Sequence, residues 1–465
     1  MNSPGKRAAF AAVSLALAFV AFVLAQRGIV EHQSFKAFYC AGTAVRERLD
    51  PYRVEPLRSC EHRLERSQMP SGYVEPAPQP GYVLAGFALL SVLPPKLAAA
   101  VFALLLVGAS MLSAAALARL IGAPAFAVLL ALSPLTLLNV AYGEIPPIAL
   151  VAICVSALLL QRDRPAAAGV AASLALVQPN VGLPAMLAVL IFAPRARLAI
   201  LVTGSILAAV SVITLGVAWN VEYFTRVLPL LSNAEIVASD QYSLSRLLYV
   251  LGVSANTALL LGKIWFGIAA TASILIAGRL AKRGQSELLP LLPPAAVTLF
   301  GIYLHDIQIL IALPAALVLA ARIDSERGRF VAAAFVVLLV TVWTQPPRAA
   351  ALLVDAAGVF GALFCLLPGV AVRRIAYGAA GSLAVIVALV LMQHFATPTP
   401  HSLTTHAFSA EPNEFSPIAW GRYLRATPEL TRTVLAPQIL TWIGLAGIFA
   451  CAFAARLRSP RLGQS

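Results

Sequence analysis

Side chains suited to acid–base chemistry or anion binding are concentrated in short segments between long apolar runs. Residues 30–80 form the richest of these segments. Other polar groups stand at the ends of apolar runs, in "AYGEIPP", "SDQYSLSRLL" and "YLHDIQ". Charge inside a bilayer is costly and tends to mark a site or a pathway. The polar and charged residues in these segments that could take part in chemistry or binding are Glu31, Tyr39, Arg46, Asp50, Arg58, Glu144, Arg246, Lys263, His305 and Asp306.

Each candidate also has a purely structural interpretation. The charges of residues 30–80 could form the solvated face of a helix, and His305 with Asp306 could be an ordinary turn, since Asp favours turns. Lys263 lies roughly 15 Å into its apolar run at helical rise, where it could reach toward an interface or pair with Asp355. No zinc-ligand spacing, phosphate-binding glycine loop or Ser-His-Asp motif is visible in the sequence, so no metal or cofactor is predicted.

The apolar runs predict the fold class, an all-α polytopic membrane protein. The chain has 465 residues, of which 60% are hydrophobic and only 12% charged, about half the charged fraction of a soluble domain. Runs of about 20 apolar residues, the length that spans a bilayer as a helix, recur throughout. We expect about twelve spans, near 8–29, 97–118, 123–142, 147–161, 196–218, 253–278, 288–303, 307–321, 330–343, 349–371, 375–395 and 434–455.

The charge distribution predicts the orientation. Alternate connections between these spans, counted from the N-terminus, carry the whole net charge of +14. Positive loops stay in the cytoplasm, so both termini are expected there, in a multi-pass protein of the plasma (inner) membrane. The basic balance therefore reports orientation, and no nucleic-acid partner is predicted. Residues 1–25 could alternatively be a cleaved signal peptide, because "VLA" precedes Gln26.

Three segments are predicted to depart from simple spans. Residues 165–194 contain "VQPNVGLP", whose prolines and Asn break a helix. They predict two short helices forming a hairpin on the cytoplasmic side, which protein or a cavity must cover. Residues 35–48 suit an amphipathic helix along the membrane surface, with Phe35, Phe38 and Tyr39 toward the membrane. Residues 81–93 suit a second interfacial helix, since they are too short to span.

The five cysteines fall into two groups. Cys154, Cys365 and Cys451 lie in predicted spans and are expected to be small apolar fillers. Cys40 and Cys60 lie in the first outer loop, where an oxidising compartment would allow them to pair. The sequence leaves this disulfide open, because it does not give the distance between the two residues.

The order of several motifs resembles glycosyltransferase family 87, the polyprenol-phosphate-mannose-dependent α-1,2-mannosyltransferases. The motifs are "SFKAFYCAG" with "RLDPY", "YGEIPPIALVAICVSALLL", "AAGVAASLALVQPNVGLP", "SDQYSLSRLL" and "HDIQILIALPAAL". Together they cover most of residues 8–325. The resemblance implies a GT-C architecture, with one membrane-embedded domain over residues 1–465. It also implies that residues 30–80 form a catalytic-face loop and that residues 396–433 form the last outer loop.

The resemblance further implies the activity and the partners. The protein would move a hexose, mannose in the resembled family, from a polyprenyl-phosphate sugar to a glycan or glycolipid acceptor on the outer face, among membrane lipids. Cations near the outer interface would stabilise the leaving phosphate. The implied substrate-binding residues are Ser34, Tyr39, Arg46, Arg58, Glu144, Gln178, Arg246, Lys263, His305 and Asp306.

The sequence departs from this family at the residues that matter for catalysis. The family's catalytic Asp falls on Ser34, Gln178 replaces a lysine and Glu144 replaces a glutamine. A general base, typically a carboxylate, could instead be Glu31, one helical turn earlier, or Asp50. The alternative is a non-catalytic relative or a flippase-like transporter of lipid-linked sugars, with which the broken helices near 178–184 are compatible. A channel is disfavoured, because the sequence shows no selectivity motif.

Overall fold

The computed structural model describes residues 5, 8–16, 20, 33–64, 73–340, 349–396, 410–427 and 435–454. These residues are mostly helical. Residues 8–16 form a helical stretch in addition to helices α1 to α19. Among the described residues, five helical stretches are long and apolar enough to cross a membrane, which is consistent with a helical membrane protein. They are Pro95–Ile121, Ala125–Tyr142, Pro194–Glu235, Ala255–Ala281 and Val372–Met392.

Proline and glycine set many of the helix boundaries in the first half of the chain. Pro95, Pro146 and Pro179 each open a helix, where a missing N–H is not needed. Gly122 and Gly143 end helices with φ values of 71° and 72°, a left-handed conformation that favours glycine. The helices are α1 Gln33–Arg46, α2 Val54–Leu64, α3 Gly81–Leu90, α4 Pro95–Ile121, α5 Ala125–Tyr142, α6 Pro146–Gln161, α7 Pro165–Leu174, α8 Pro179–Phe192 and α9 Arg197–Glu222.

The second half of the chain begins with a π-helical stretch, Tyr223–Val227, that continues α9 into the next helix. A 3₁₀ helix, Asp306–Ala312, leads into α14. The helices are α10 Leu228–Glu235, α11 Leu244–Val250, α12 Ala255–Ala281, α13 Leu288–Val297, α14 Leu313–Arg322, α15 Glu326–Val340, α16 Ala349–Leu366, α17 Val372–Ala396, α18 Ser416–Ala426 and α19 Leu435–Ala454.

The long helices divide into an inner and an outer set. In the most apolar 18-residue stretch of each helix, 61% of α4 and 67% of α5 is buried by protein. In Pro194–Glu235, α12 and α17 the corresponding share is 17%. A helix that is apolar all round yet so little buried needs an apolar surrounding. The outer helices therefore present the surface suited to lipid.

Two predicted segments are resolved into shorter pieces. The predicted hairpin 165–194 consists of α7 and α8, which are joined by the 3₁₀ turn Ala175–Val177, with the break at Gln178. The predicted helix over 288–303 is wrong in its second half, because α13 ends at Val297. The residues that follow are irregular, and Phe300 and Tyr303 have φ values of 60° and 47°. Such backbone conformations are costly for side chains of this size and often occur at functional sites.

The predicted surface helix is also different in the structure. Residues 35–42 of α1 are buried, and their aromatic rings contact protein rather than facing the membrane. Phe35 stacks on Phe102 at 5.5 Å between ring centroids, and Phe38 lies 5.1 Å from Phe87. The hydrophobic side of an amphipathic pattern does not distinguish lipid from other apolar side chains. The helix is therefore part of the core.

The first and last polar loops are joined at one end of the bundle. Backbone hydrogen bonds run from Val54 N to Glu414 O and from Ser416 N to Tyr52 O, at 2.9 and 2.8 Å. The Arg53 guanidinium lies 3.7 Å from the ring centroid of Phe415. Cys40 and Cys60 form a disulfide, with Cα atoms 5.6 Å apart, which confirms that pairing. These contacts make one covered polar end.

Candidate active site

Two non-helical segments at the polar end, residues 240–243 and 300–305, pair with each other and position the polar side chains between them. Tyr242 N donates to Leu304 O at 2.6 Å, and Asp306 N donates to Asp240 O at 3.1 Å. Gln241 and His305 face each other as an antiparallel bridge. Because paired residues across such a bridge have neighbouring side chains, this pairing places Asp240 and Gln241 against His305.

His305 is the centre of the first half of the site. Its Nδ1 lies 2.9 Å from Asp240 Oδ2, and its Nε2 lies 3.9 Å from Glu235 Oε2. The Gln241 amide lies 3.2 Å from the same Nε2. The His305 side chain is 14% exposed, whereas that of Asp240 is 47% exposed. The imidazole is thus enclosed, while its principal partner reaches the opening.

The charge state of this pair follows from its surroundings. Burial opposes a charged imidazole, but Asp240, Glu235 and Glu144 outweigh it and raise the pKa of His305 to about 10. Burial likewise opposes the Asp240 carboxylate, yet the imidazolium and its hydrogen bond lower the pKa of Asp240 below its usual range. At neutral pH the two groups therefore form an ion pair.

The second half of the site is built around Ser34, in the first turn of α1. Ser34 Oγ donates to Glu75 Oε1 at 3.2 Å, and its hydroxyl also hydrogen-bonds the Glu144 carboxyl. Glu144 follows the left-handed Gly143 at the end of α5. A Cβ atom at position 143 would lie 2.4 Å from Phe35 Cβ. Glycine at this turn therefore permits α1 to approach close enough for Ser34 to meet Glu144.

Both carboxyl groups beside Ser34 hold their protons more tightly than usual. Burial raises the pKa of Glu75 to about 8, with Lys36 opposing the shift and Glu144 adding to it. Burial also raises the pKa of Glu144, against the hydrogen bond from Ser34 and the charge of His305. A hydroxyl has one proton to donate, so Ser34 stabilises the carboxylate form of whichever of Glu75 and Glu144 accepts its hydrogen bond. This arrangement links the two carboxyls through one side chain.

A fourth carboxylate and a buried lysine complete the site. Lys36 is 0% exposed, and its ammonium lies 4.9 Å from the ring centroid of Tyr73. Tyr73 packs edge-on against Trp420 of α18 at 6.0 Å, and the Trp420 indole N–H donates to Glu235. Helix α18 in the last polar loop therefore covers the site and connects its two halves. We call Ser34, Lys36, Glu75, Glu144, Glu235, Asp240 and His305 together the polar chamber.

The polar chamber is partly open, since Glu75, Glu144 and Asp240 are only half-buried. A carboxyl with a pKa near the pH of use is suited to accept a proton from a hydroxyl group. Glu75 has such a pKa, about 8, and His305 and Lys36 contribute positive charge to the same chamber. The arrangement can therefore deprotonate a bound hydroxyl and stabilise negative charge that develops nearby.

A small open cleft adjoins the polar chamber between α10, α11 and α12. Gln241 and Tyr303 form part of its wall, and both also contact His305, the Tyr303 ring at 5.1 Å between centroids. The cleft and the chamber therefore share side chains. Its lining consists of Ser232, Ile236, Gln241, Ser243, Ser245, Leu259, Lys263, Ile302 and Tyr303.

The structure brings some predicted site residues together. Ser34, Glu144 and His305 all belong to the polar chamber, and Lys263 lines the adjoining cleft. Arg246 is buried next to the chamber, where its Nη1 donates to Ile236 O at 3.3 Å and its charge acts on Asp240.

Other predicted residues hold the loops in place. Asp50 accepts from Tyr52 N at 2.9 Å and pairs with Arg53 at 3.0 Å, a turn-capping arrangement rather than a place on the chamber. Tyr39 donates to Leu93 O at 3.0 Å. Arg46 donates to Ser91 O at the end of α3. Arg58 pairs with Glu55 and donates to Ala410 O.

The remaining predicted residues have different positions. Gln178 is buried at the break between α7 and α8, where its Oε1 finds no hydrogen-bond partner among the described residues. Asp306 Oδ1 accepts from Ile307 N at 2.7 Å at the start of a 3₁₀ helix. Glu31 lies outside the described residues.

Sequence reasoning missed three members of the chamber, namely Lys36, Glu75 and Glu235. Lys36 is one of many charged residues within 30–80, and the sequence does not show that it is fully buried. Glu75 stands in the proline-rich stretch "YVEPAPQP", which has no helical or strand period, so nothing in the pattern indicates which way its side chain points. Glu235 ends α10, and only its position in a polar connection after an apolar run could have drawn notice.

Within the described ranges no group of three or more His, Cys, Asp or Glu side chains is arranged to hold a metal ion. No protein-family model, curated protein or solved structure matches the chain.

Proposed function

We propose that the protein is a membrane glycosyltransferase, which moves a hexose from a polyprenyl-phosphate sugar to a hydroxyl of a glycan or glycolipid acceptor. The observation that supports this most is Glu75. It is a half-buried carboxyl with a pKa of about 8, and it is hydrogen-bonded to Ser34. Ser34 is the position at which the resembled family carries its catalytic Asp, so a carboxyl from another segment stands beside the replaced residue.

The proposed reaction uses Glu75 as general base. Glu75 takes the proton of the acceptor hydroxyl, and the hydroxyl oxygen forms a bond to the anomeric carbon of the sugar. The bond between that carbon and the phosphate oxygen breaks, and the lipid phosphate leaves with the electron pair. The positive charges of Lys36 and His305 belong to the same chamber and would stabilise the negative charge that develops on the leaving phosphate.

The disulfide supports the proposed orientation. Cys40 and Cys60 are bonded at the polar end, and disulfides persist in oxidising compartments outside the cytoplasm. The basic connections predicted for the cytoplasm would then lie at the opposite end. We therefore place the polar chamber on the outer face of the plasma membrane and both termini in the cytoplasm.

The test is a transfer assay with purified protein in lipid nanodiscs. A radiolabelled polyprenyl-phosphate mannose is the donor, and release of free mannose to water is measured so that no acceptor need be known. Wild type is compared with Glu75→Gln and with Asp50→Asn. Loss of a general base lowers a rate by about 10²- to 10⁴-fold. We expect that loss in Glu75→Gln, whereas Asp50→Asn keeps its rate within a few-fold, provided that both variants remain folded.

Two outcomes would overturn the proposal in different ways. If Glu75→Gln releases mannose at the wild-type rate, Glu75 is not the base. If the wild type releases sugar from no polyprenyl-phosphate donor, with mannose, glucose and galactose forms tested, the transferase itself is wrong. Passage of intact donor across a sealed vesicle membrane, without cleavage, would then favour the flippase-like alternative.

A further inference from the structure

The geometry points to a binding site for the phosphate group of a membrane lipid, formed by Ser245 and Lys263 in the cleft between α10, α11 and α12. The inference deepens the proposed function and rests on it for the identity of the lipid as the sugar donor. Binding itself can be measured without any sugar, so the site can be tested apart from the transfer reaction.

Ser245 supplies the first observation. Ser245 is 3% exposed, and its Oγ has no hydrogen-bond partner among the residues that the structure describes. A buried hydroxyl without a partner is unfavourable, so a ligand that accepts its hydrogen bond would stabilise the protein. Gly262 makes room for this group, because a Cβ atom at position 262 would lie 2.0 Å from Ser245 Oγ.

Lys263 supplies the second observation. It follows Gly262 on α12, eight residues beyond the first residue of the helix, which is roughly 12 Å along its axis at helical rise. α12 is one of the helices suited to span the membrane, and only 17% of its most apolar window is buried. An ammonium at such a position is costly in lipid. A phosphate in the cleft would offset that cost by direct charge pairing.

The character of the cleft favours an anion. Its lining provides the hydroxyl groups of Ser243 and Ser245 and the ammonium of Lys263. The Ser232 hydroxyl donates to Leu228 O, and the Gln241 amide contacts His305. None of the nine lining residues carries a carboxylate, although four carboxylates stand in the adjoining chamber. Donors without acceptor charges suit phosphate oxygens.

The surroundings of Lys263 favour a lipid as the source of that phosphate. Leu260, Leu261 and Ile264 on the same helix are 57%, 39% and 50% exposed. An apolar chain attached to the phosphate could pack along these side chains, and free phosphate could not. At the other side of the cleft, Gln241 and Tyr303 contact His305. A group esterified to the phosphate would thus extend toward the polar chamber.

The test measures binding of undecaprenyl phosphate to the full-length protein by native mass spectrometry from nanodiscs. Lys263→Met and Ser245→Ala are compared with Lys282→Met, which removes a lysine just after the other end of the same helix. We expect Lys263→Met and Ser245→Ala to weaken binding at least tenfold and Lys282→Met to leave it unchanged. Equal affinity in all four proteins would overturn the site. Size-exclusion profiles establish that each variant is folded.

Three further ligands identify what is recognised. Undecaprenol, which lacks the phosphate, should bind at least tenfold more weakly than undecaprenyl phosphate. Inorganic phosphate should compete only at millimolar concentration. If inorganic phosphate instead binds as tightly as the lipid, through Lys263, the lipid assignment is overturned and a free-anion site remains. Phosphatidic acid should bind in the same Lys263-dependent manner, because the inference concerns the phosphate and an apolar chain. Its failure to do so would overturn the general lipid-phosphate assignment.

The experiments test the phosphate site and the transferase activity independently. If undecaprenyl phosphate binds through Lys263 but no donor is cleaved, the site stands and the transferase is wrong. If the donor is cleaved and Lys263→Met changes neither KM nor kcat, the transferase stands and the site is wrong.

Discussion

Ser34 Oγ donates a hydrogen bond to Glu75 Oε1 at 3.2 Å, joining the first turn of α1 to an extended segment 41 residues later in the chain. The same hydroxyl hydrogen-bonds the Glu144 carboxyl. One small polar side chain therefore lies between two carboxyl groups that would otherwise repel each other when ionised. The protonation of Glu75 depends on both neighbours, and this dependence can be measured.

The first prediction concerns the pH dependence of donor cleavage. A general base must be ionised, so the rate should rise with pH along a limb near the Glu75 pKa of about 8. The Ser34 hydrogen bond lowers this pKa and the Glu144 charge raises it. Ser34→Ala should therefore move the limb to higher pH, and Glu144→Gln should move it to lower pH. Rates of mannose release measured from pH 5 to 10 give the position of the limb.

The control for this prediction is Glu55→Gln. Glu55 lies in the same polar loop but pairs with Arg58 at 2.8 Å, away from Ser34. Its replacement should leave the limb in place. If Ser34→Ala and Glu144→Gln move the limb in the same direction, the hydroxyl does not act between the two carboxyls as described.

The second prediction concerns stability and the His305–Asp240 pair. The pKa of His305 is raised from 6.5 to about 10, so its contribution to the free energy of unfolding is complete below pH 6.5. That contribution is lost as pH rises through about 10. Glu75 also titrates, near pH 8. The window between about pH 8 and 10 therefore reports mainly on the histidine when two proteins are compared.

Asp240→Asn tests this assignment. Asp240 provides the largest effect that raises the His305 pKa, so the variant should have a lower His305 pKa. Its Tm should fall less between pH 8 and 10 than that of the wild type, while being lower at pH 7. Thermal unfolding followed by intrinsic fluorescence in detergent gives both values. Parallel Tm curves for the two proteins above pH 8 would contradict the ion pair.

Much of the site was predictable. Several polar residues stand at the ends of apolar runs on the predicted outer side of the membrane, and such residues meet at one end of a helical bundle. Glu144 and His305 belong to that group, and the structure places both in the polar chamber. Glu75 was not predictable, because its position depends on the path of an extended segment that packs through Tyr73 against Trp420. The position of Asp50 was not predictable for a similar reason. The sequence does not show that its carboxylate pairs with the nearby Arg53 and lies away from the polar chamber.

The fold was also predictable in part. Hydrophobic periods and charge predicted an all-helical membrane chain and the break at Gln178. They did not predict that α1 is buried, because aromatic residues suit both a membrane surface and a protein core. The apolar run continues through Phe300, so the sequence predicted a helix that extends past Val297, where α13 ends.

The third prediction concerns the disulfide. Cys40 and Cys60 are 20 residues apart in the chain, and closing a loop of that size adds about 3 kcal/mol in the chain-entropy model. The double variant Cys40→Ser, Cys60→Ser should therefore unfold at a lower denaturant concentration than the wild type. Dithiothreitol should lower the midpoint of the wild type and leave the double variant unchanged. A midpoint of the wild type that is insensitive to reduction would show that the disulfide does not contribute.

The fourth prediction uses two glycines that end consecutive helices in the same conformation. Gly122 and Gly143 have φ values of 71° and 72°, but a Cβ atom would meet nothing within 4 Å at Gly122, whereas at Gly143 it would lie 2.4 Å from Phe35 Cβ. Gly122→Ala should cost only the left-handed backbone, about 1–2 kcal/mol. Gly143→Ala should cost that amount and a further ~1–3 kcal/mol from overpacking.

The Gly143 variant should also separate stability from activity. Moving Phe35 away from Gly143 moves the neighbouring Ser34 away from Glu144, so donor cleavage should fall in Gly143→Ala and not in Gly122→Ala. Denaturant unfolding and mannose release, measured on both variants at a temperature where each is folded, give the two quantities. Equal losses of stability and equal rates in the two variants would mean that the close approach of α1 to this turn does not position the chamber. A larger loss in Gly143→Ala alone would show that a contact without polar atoms sets the distance between Ser34 and Glu144.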